Sequence, residues 1–433
     1  MVGKSSQVRC QVEDPLTEAT NTEIYWQFNV GTGDVVSTKS NQYSANESAL
    51  GYLYQCRLGL WYALGRLRDR NDIEVAIESL DDVTFSAEGK AEELLQTKHH
   101  ISAKASLTDA CPDLWKTLRI WASQIQLIRE GVRLFLITTA TASPGSAASL
   151  IRDDKSRDVT SAHKKLLTTV ATSTNQTNKD AYDAFNALVR EDQVALLDAV
   201  TVIDSSPNVL DVREKIESEL RLAVRPKHLG AFTDRLEGWW YGRVVQNLAH
   251  KDGGVILARE LHSQIADLRE QFLQDNLPID FENVFPEEDV VKAMLGKPFV
   301  EQLRLVALTE TRIRHAVTDY YQAFEQRSRW LREDLLLVGD LEQYETRLVK
   351  EWERSFERIK QNYEVEEEPK KAVAGRAVFD WAESANIYIR PQCQQPYIHR
   401  GSFQILADKL KIGWHPEFVA RLEHLLTSVE SIA

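Results

Sequence analysis

The sequence predicts a protein of two domains, an α/β domain over residues 1–225 and an all-α domain over residues 226–433. Three observations lead to this prediction. A helix and three extended segments follow one another in the first hundred residues, a strongly β-forming run occupies 132–138, and long helical periodicities fill the second half of the chain. A length of 433 residues suits two or three domains, and a hydrophobic content of 43% is enough for ordinary globular cores.

The α/β prediction rests on a helix, three strands, a second helix and a fourth strand, in the order αβββαβ. Apolar residues recur at helical spacing in the first segment, and the first two strands are separated by the turn-like sequence Ser79-Leu80-Asp81-Asp82. Pro112 favours the first turn of the second helix. The predicted elements are a helix at 47–68, strands at 74–78, 83–85 and 93–98, a helix from Pro112, and a strand at 132–138.

Almost every segment after residue 161 has the apolar spacing of an amphipathic helix, apart from a short strand at Val200–Ile203. The long, charged helices of the second half predict a bundle or an arm that binds partner proteins. The acidic and then basic run at 364–371 predicts a solvated linker. The predicted helical segments are Ala181–Val189, Leu210–Leu222, Gly230–Ala249, Gly254–Phe272, Phe299–Leu337 and Glu342–Tyr363.

The composition argues against several classes of protein. No apolar run reaches the roughly 18 residues that span a membrane, and we expect no export signal from the polar start of the chain. The four cysteines are Cys10, Cys56, Cys111 and Cys393. None belongs to a CxxC pair, which argues against a zinc site or a disulfide framework and fits a cytoplasmic location. The sequence has no GxxxxGK(S/T), GxSxG or HExxH motif, so we expect any ATP use to belong to a partner.

The charge of the chain is unfavourable for binding nucleic acid. The sequence has 52 basic and 65 acidic residues, for a net charge of −13. Non-specific DNA binding depends on Lys and Arg side chains that neutralise phosphates. A DNA-binding role for this chain would therefore need a local basic strip, metal ions or a partner protein.

Four polar residues at the ends of the predicted strands form the candidate catalytic site. Glu78 ends the first strand, Asp82 begins the second, and Gln96 and Lys98 end the third. Alternate residues of a strand share a face, so Gln96 and Lys98 point the same way while Thr97 points into packing. Phosphodiester hydrolysis uses a metal ion with oxygen ligands to polarise the phosphate and activate water, and a lysine can stabilise the charge that develops.

This arrangement resembles the PD-(D/E)xK restriction-endonuclease superfamily, in its variant with Gln for the second acid. The resemblance implies a restriction-endonuclease-like fold for the N-terminal domain. More specifically, five segments resemble the nuclease domain of CBASS antiphage effectors, which also occurs in the LmuA-type nuclease subunit of Lamassu systems. These segments are Gly51–Gln55, Glu78–Asp82, Gln96–His100, Leu114–Trp121 and Leu136–Ala140.

The resemblance implies a role for each residue of the site. Asp82 would be the principal metal ligand, Gln96 the second ligand through its side-chain oxygen, and Lys98 the catalytic lysine. Glu78 would be a supporting carboxylate, and Gln55 a polar residue that faces the site from the first helix. The implied ion is Mg²⁺ or Mn²⁺. The neutral Gln96 departs from the usual acidic ligand and lowers the negative charge of the site.

Structural interpretations of the same residues stay open at this stage. Asp81 and Asp82 are common turn residues, because an Asp side chain bonds its own backbone, and Asp81 competes with Asp82 for the role of main ligand. Gln96 and Lys98 suit the polar end of a surface strand. Three further clusters are interpreted as packing or surface residues rather than ligands. They are His99-His100, Trp239-Trp240-Tyr241 and Trp414-His415-Pro416.

The C-terminal segments Gly401-Ser402 and Ile412–Phe418 resemble the C-terminal domain of ABC-three-component effector proteins, the wider class that contains Lamassu. The resemblance implies two partners, an SMC-like ABC ATPase and a small accessory subunit. The chain would be the double-stranded DNA endonuclease of this complex. We expect the helical half to keep the nuclease inactive in the complex, and release to allow self-association of nuclease domains.

Two other functions fit the same sequence. The chain could be a catalytically inactive adaptor for the ATPase, and DNA cleavage by the purified protein separates this function from the first. It could also be a nuclease effector activated by a cyclic oligonucleotide. Effectors of that kind have a ligand-sensing domain after the nuclease, where this chain has long charged helices. Assembly or dissociation on addition of nucleotide second messengers would favour this alternative.

Overall fold

The computed structural model describes residues 39–100, 105–250, 254–362 and 367–430. They fall into two compact units, one within Ser37–Gln274 and a C-terminal unit that begins at Asp275. Cys10 lies outside the described residues. Cys56, Cys111 and Cys393 are free thiols, in agreement with the absence of CxxC pairs.

A six-stranded mixed sheet forms the centre of the N-terminal unit. Its strands are β1 (Ile73–Ile77), β2 (Val83–Ala87), β3 (Lys90–Lys98), β5 (Arg133–Thr138), β7 (Val200–Ile203) and β8 (Ile256–Leu257). β1, β2 and β3 form an antiparallel meander, β5 and β7 continue in parallel beyond β3, and β8 pairs antiparallel with β1. The two short strands β4 (Ser106–Leu107) and β6 (Thr141–Ala142) form a separate parallel pair.

Helices of this unit pack on both faces of the sheet. They are α1 (Lys39–Arg66), α2 (Pro112–Ala122), α3 (Ile125–Arg129), α4 (Ala147–Leu150), α5 (Val159–Thr172), α6 (Lys179–Ala187), α7 (Arg190–Ala199), α8 (Asp211–Leu220), α9 (Leu229–Ala249) and α10 (Ala258–Gln271). On one face, Leu94 and Leu134 share a core with Trp115 and Trp121 of α2. On the other face, α1 approaches β1 so closely that a Cβ on Gly59 would lie 2.9 Å from Ile77 Cδ1.

The predicted helix, three strands, helix and strand are present as α1, β1, β2, β3, α2 and β5, with two short elements that were not predicted, β4 before α2 and α3 after it. The strand predicted at Val200–Ile203 is also present, as β7. The bounds differ at the ends: α1 begins at Lys39 rather than residue 47, and β3 begins at Lys90 rather than residue 93. These ends are polar, so the apolar periodicity that predicts an element does not reach them.

The N-terminal unit extends further along the chain than the boundary predicted at 225. It ends at Gln274, because β8 joins the sheet beside β1, with Val75 paired to Ile256. In addition, Trp240 of α9 donates its indole N–H to the carbonyl oxygen of Cys56 in α1, at 2.8 Å. The segment predicted as the start of an all-helical domain therefore packs with the sheet and contributes one strand.

The C-terminal unit is entirely helical among its described residues. Its helices are α11 (Glu288–Met294), α12 (Pro298–Leu305), α13 (Glu310–Arg332), α14 (Asp340–Asn362), α15 (Glu368–Ser384), α16 (Pro396–Asp408) and α17 (Phe418–Glu430). The buried Gln302 of α12 accepts the backbone N–H of Trp414 at 3.1 Å. Trp414 and His415 are fully buried, which confirms that Trp414-His415-Pro416 is a packing corner.

Two predictions for this unit are corrected by the structure. The segment Phe299–Leu337 is not one helix, because Ala307 adopts a left-handed φ of 55° and Thr309 begins α13 with its hydroxyl accepting the backbone N–H of Arg312. The linker predicted at 364–371 lies partly outside the described residues, and from Glu368 onward it is the start of α15. None of the described helices is both long enough and apolar enough to cross a bilayer.

Candidate active site

A tight turn between β1 and β2 carries the candidate carboxylates. Glu78 adopts a left-handed φ of 54° and donates its backbone N–H to the carbonyl oxygen of Asp82 at 3.0 Å. The backbone N–H of Ser79 bonds the carbonyl oxygen of Asp81 at 3.2 Å. A non-glycine residue at positive φ is uncommon and costs free energy, so contacts of the folded chain must hold this conformation.

The carboxylate of Asp82 is tied to the neighbouring strand β3. Its Oδ2 accepts the backbone N–H of Thr97 at 2.7 Å and the hydroxyl of Thr97 at 2.9 Å. The β2–β3 register pairs Val83 with Leu95, so the next position brings Asp82 opposite Gln96. Both hydrogen bonds go to one oxygen of Asp82, which leaves Oδ1 as the oxygen that could take a further ligand.

Strand alternation places Gln96 and Lys98 on one face of the sheet, and this face packs on α2. Leu94, two residues earlier, is part of the core with Trp121. The side chain of Gln96 is only 4% exposed. Its Oε1 is buried and has no hydrogen-bond partner among the described residues. A buried acceptor without a partner is costly, and a bound ligand at this atom would offset that cost.

The ammonium group of Lys98 lies in a partly buried, mixed-charge environment. Burial lowers the pKa of Lys98, while the negative charges of Asp82 and Asp113 oppose this shift. Lys116, on the first turns of α2, also lowers the pKa of Lys98. The amine of Lys98 therefore lies close to the candidate carboxylates and to the N-terminal end of α2.

Glu78 and Gln55 approach the site from β1 and α1. Partial burial raises the pKa of the Glu78 carboxyl, and the charge of Asp82 raises it further. A hydrogen bond from the Gln55 side chain and the charge of Lys98 act in the opposite direction. The Oε1 of Gln55 is buried and, among the described residues, has no hydrogen-bond partner. Glu78 thus interacts with the charges of Asp82 and Lys98. It also accepts a hydrogen bond from Gln55.

The carboxylate of Asp81 bonds to α2, which packs on the face of the sheet that carries Gln96 and Lys98, and its charge acts on Lys98. Its Oδ2 accepts the indole N–H of Trp121 at 2.6 Å, and its Oδ1 accepts the backbone N–H of Asp82 at 3.0 Å. The residue is 8% exposed, and burial raises the pKa of its carboxyl to about 6 although the bond from Trp121 lowers it. Because both oxygens of Asp81 are already hydrogen-bonded, Asp82 is the better candidate for a metal ligand.

The two neighbouring histidines make structural contacts, in agreement with their interpretation as packing or surface residues. The ring of His99 lies 4.9 Å from the ring of Tyr54, and burial lowers the pKa of His99. The Nε2 of His100 lies 2.9 Å from a carboxylate oxygen of Asp113. Trp240 is fully buried, which confirms the interpretation of this one residue of Trp239-Trp240-Tyr241 as a packing residue.

The sequence did not indicate four of the residues that shape this site: Thr97, Asp113, Lys116 and Trp121. Trp121 meets Asp81 across 40 residues of chain, and Thr97 meets Asp82 across 15. Neither pair has a local spacing that could have indicated the contact. The period of the strand indicates only that Thr97 lies on the opposite face from Gln96 and Lys98.

The residues present fit a hard metal ion with few protein ligands. Asp82 and Glu78 supply carboxylate oxygens, and Gln96 supplies a buried amide oxygen without a partner. Mg²⁺ takes one or two carboxylates and keeps several waters. Within the described ranges, no group of three His, Cys, Asp or Glu side chains is placed to hold a metal. The convergence of Asp82, Gln96 and Lys98 on one ion stays a prediction.

Comparisons with known proteins bear on the C-terminal unit. Residues 299–422 match the model of CTD7, C-terminal domain 7 of the ABC-three component (ABC-3C) systems. This match supports membership of the chain in an ABC-3C defence system. The comparison with curated proteins found no match.

Solved structures similar to this chain are Cap4 SAVED/CARF-domain containing receptors. The receptor from Moraxella osloensis is 15% identical, with a TM-score of 0.34, and the match covers 62% of this chain and 62% of that chain. The receptor from Acinetobacter baumannii with the cyclic trinucleotide 2'3'3'-cAAA is 15% identical, with a TM-score of 0.34, and the match covers 63% and 58%. The chain thus spans less than two thirds of each of these structures.

Proposed function

We propose that this chain is the metal-dependent DNA endonuclease of an ABC-3C antiphage complex. The observation that supports the nuclease activity most directly is the buried, unpartnered Oε1 of Gln96, on the same strand face as Lys98 and opposite Asp82. An unsatisfied buried acceptor costs about 1–3 kcal/mol. A bound ligand would compensate this cost.

Each residue of the site has a role in this proposal. Asp82 and Gln96 would hold a Mg²⁺ or Mn²⁺ ion, with Glu78 as a supporting carboxylate. When bound, such an ion polarises a phosphodiester and lowers the pKa of water. Thr97 fixes the rotation of the Asp82 carboxylate through its two hydrogen bonds. The ammonium of Lys98 would bind and orient the phosphoryl oxygens, where negative charge develops during hydrolysis.

The test is DNA cleavage by the purified full chain on supercoiled plasmid, with Mg²⁺, with Mn²⁺ and with EDTA. We expect cleavage with either ion and none with EDTA. Gln96→Leu should abolish cleavage without loss of stability, because the change removes an unpartnered buried oxygen. Gln404→Leu is the matched control: Gln404 is also buried with an unpartnered Oε1, and it belongs to the C-terminal unit.

Equal cleavage by Gln96→Leu and Gln404→Leu would show that Gln96 has no role in the site. A folded wild-type chain that leaves the plasmid intact with both ions would contradict the nuclease proposal. An intact plasmid with both ions is the result expected of a catalytically inactive adaptor.

We also propose that partner subunits of the ABC-3C complex regulate the nuclease. The expected partners are an SMC-like ABC ATPase and a small accessory subunit, which bind the helical C-terminal unit. A chain of net charge −13 binds DNA weakly, and self-association after release would place several sites on one duplex and add up their weak contacts.

Self-association should therefore accompany activity. We expect the isolated chain to form oligomers and cut DNA, and the chain held by the ATPase to be a single, inactive copy. Light scattering and a cleavage assay on both preparations measure this. A strictly monomeric isolated chain that cuts as fast as any assembled form would exclude self-association as the activating step.

A further inference from the structure

The turn that carries Glu78 and Asp82 is anchored to a helix on one face of the sheet. The buried indole of Trp121 donates to Asp81 at 2.6 Å, and the side-chain amide of Gln124 donates to the carbonyl oxygen of Leu80 at 2.9 Å. Both donors lie at the end of α2 and just beyond it. The turn is therefore attached to the helix at two successive residues.

Trp121 is a rigid anchor, because its side chain is fully buried among core residues. It has 0% exposure and shares the core with Leu118 and Leu134. A side chain packed at the density of a protein interior has little freedom to change rotamer. The position of its indole N–H, and with it the position of the Asp81 carboxylate, is consequently determined by the core.

The second oxygen of Asp81 holds the backbone of Asp82 by a hydrogen bond. Asp81 Oδ1 accepts the backbone N–H of Asp82, and on the other side Thr97 holds the Asp82 carboxylate with two hydrogen bonds. Asp82 is thus held at its backbone by Asp81 and at its side chain by Thr97. A turn needs no buried carboxylate in order to fold, since a neutral Asn or Ser side chain would also suit it.

We propose that Asp81 and Trp121 form a positioning pair that holds Asp82 in the geometry required for the reaction. This role rests on the proposed nuclease function. Both carboxylate oxygens of Asp81 are occupied by hydrogen bonds, so in this proposal Asp81 is a positioning residue that acts through the backbone of Asp82. The pair explains why two consecutive aspartates are present: one serves as the ligand, and the other fixes the backbone of the first.

The test compares two Trp→Phe variants of the same helix. Trp121→Phe keeps an aromatic ring in the core and removes the N–H that holds Asp81, together with part of the indole volume, and the control loses the same volume. Trp115→Phe is the matched control, because Trp115 is also fully buried in α2 and its indole N–H bonds the carbonyl oxygen of Asp109 at 2.7 Å. Trp121→Phe should lower kcat about 100-fold, since a misplacement of about 1 Å in an active site has an effect of this order. Trp115→Phe should leave kcat unchanged.

Three further readouts separate positioning from loss of stability. The KM for DNA should change less than about twofold in Trp121→Phe, because the loss concerns the transition state rather than DNA binding. The melting temperatures of the two Trp→Phe variants should be equal. The double variant Asp81→Asn/Trp121→Phe should lose no more activity than either single change, because each change alone already interrupts the chain of hydrogen bonds from Trp121 through Asp81 to Asp82.

Each outcome decides between the two proposals. If the wild type cuts DNA and Trp121→Phe keeps the kcat of Trp115→Phe, the positioning role is wrong and the nuclease proposal stands. If Trp121→Phe is too unstable to assay, Asp81→Asn alone decides, because it keeps the volume of the side chain and removes one of its two acceptors. A wild type that does not cut overturns the nuclease proposal and the positioning role with it.

Discussion

Lys98→Ala should reduce DNA cleavage by at least about a thousandfold while leaving the chain folded. Removal of one preorganised donor to a developing oxyanion has an effect of about 10²–10³ on kcat, and Lys98 would also neutralise charge on the phosphate. Burial lowers the pKa of Lys98, so the folded chain bears a cost for the charged amine at neutral pH. The alanine variant should therefore be at least as stable as the wild type.

Lys90→Ala is the matched control for this prediction. Lys90 begins the same strand β3, and it is exposed at the other end of the strand. It should cut at the wild-type rate. A Lys98→Ala variant that cuts DNA as fast as Lys90→Ala, with Mg²⁺ present, would show that Lys98 is not the catalytic lysine.

The lowered pKa of Lys98 also predicts how DNA cleavage and stability depend on pH. The pKa of Lys98 in the folded chain is lower than the ordinary lysine value of about 10.4, and only the protonated amine can neutralise phosphate charge. Cleavage should consequently fall as the pH rises through this lowered pKa. The same group makes the folded chain more stable as the pH rises through the window between the lowered pKa and the unfolded value, because the cost of burying the charge disappears there.

Gly401→Ala should destabilise the C-terminal unit by about 3 kcal/mol or more. A Cβ at this position of α16 would lie 1.9 Å from the carbonyl oxygen of Asp319 and 2.5 Å from the Cβ of Ala323, both in α13. A collision with backbone cannot be relieved by a change of rotamer, so the two helices would have to separate. The loss of free energy of unfolding is measured by denaturant titration, with tryptophan fluorescence as the signal.

Gly296→Ala is the control in the same unit, because nothing lies within 4 Å of a Cβ built at that exposed position. Its free energy of unfolding should be close to that of the wild type. If both variants unfold at the same denaturant concentration, the close approach of α16 to α13 is wrong. Binding of the partner ATPase should weaken in Gly401→Ala alone if the C-terminal unit is the docking domain.

The order of elements in the N-terminal unit was predictable from the sequence alone. Helical and strand periodicities are local properties, and those of α1, β1 to β3, α2 and β5 are strong. The period of β3 was also enough to place Gln96 and Lys98 on one face. The ends of the elements were less predictable, because polar ends such as Lys90 do not follow the apolar pattern.

The extent of the N-terminal unit was not predictable in this way. β8 belongs to the sheet because Ile256 pairs with Val75, and a residue pair so distant in the chain has no local signature. The break between α12 and α13 at Ala307 has the same character. Apolar spacing continues across it, while α12 ends with Ala307 in the left-handed region and the backbone N–H of Leu308 donating to the carbonyl oxygen of Leu303 at 3.2 Å.

The candidate site also has a part that local sequence predicts and a part that only the tertiary structure decides. The residue types at Asp82, Gln96 and Lys98, together with the resemblance to the PD-(D/E)xK superfamily, lead to the prediction of metal-dependent phosphodiester chemistry, which stays a proposal. The choice between Asp81 and Asp82 required the tertiary structure, because it depends on hydrogen bonds from Trp121 and Thr97, 40 and 15 residues away in the chain. Local sequence determines which groups a strand end offers, whereas the packed core determines which of them are already occupied by hydrogen bonds and which can accept a ligand.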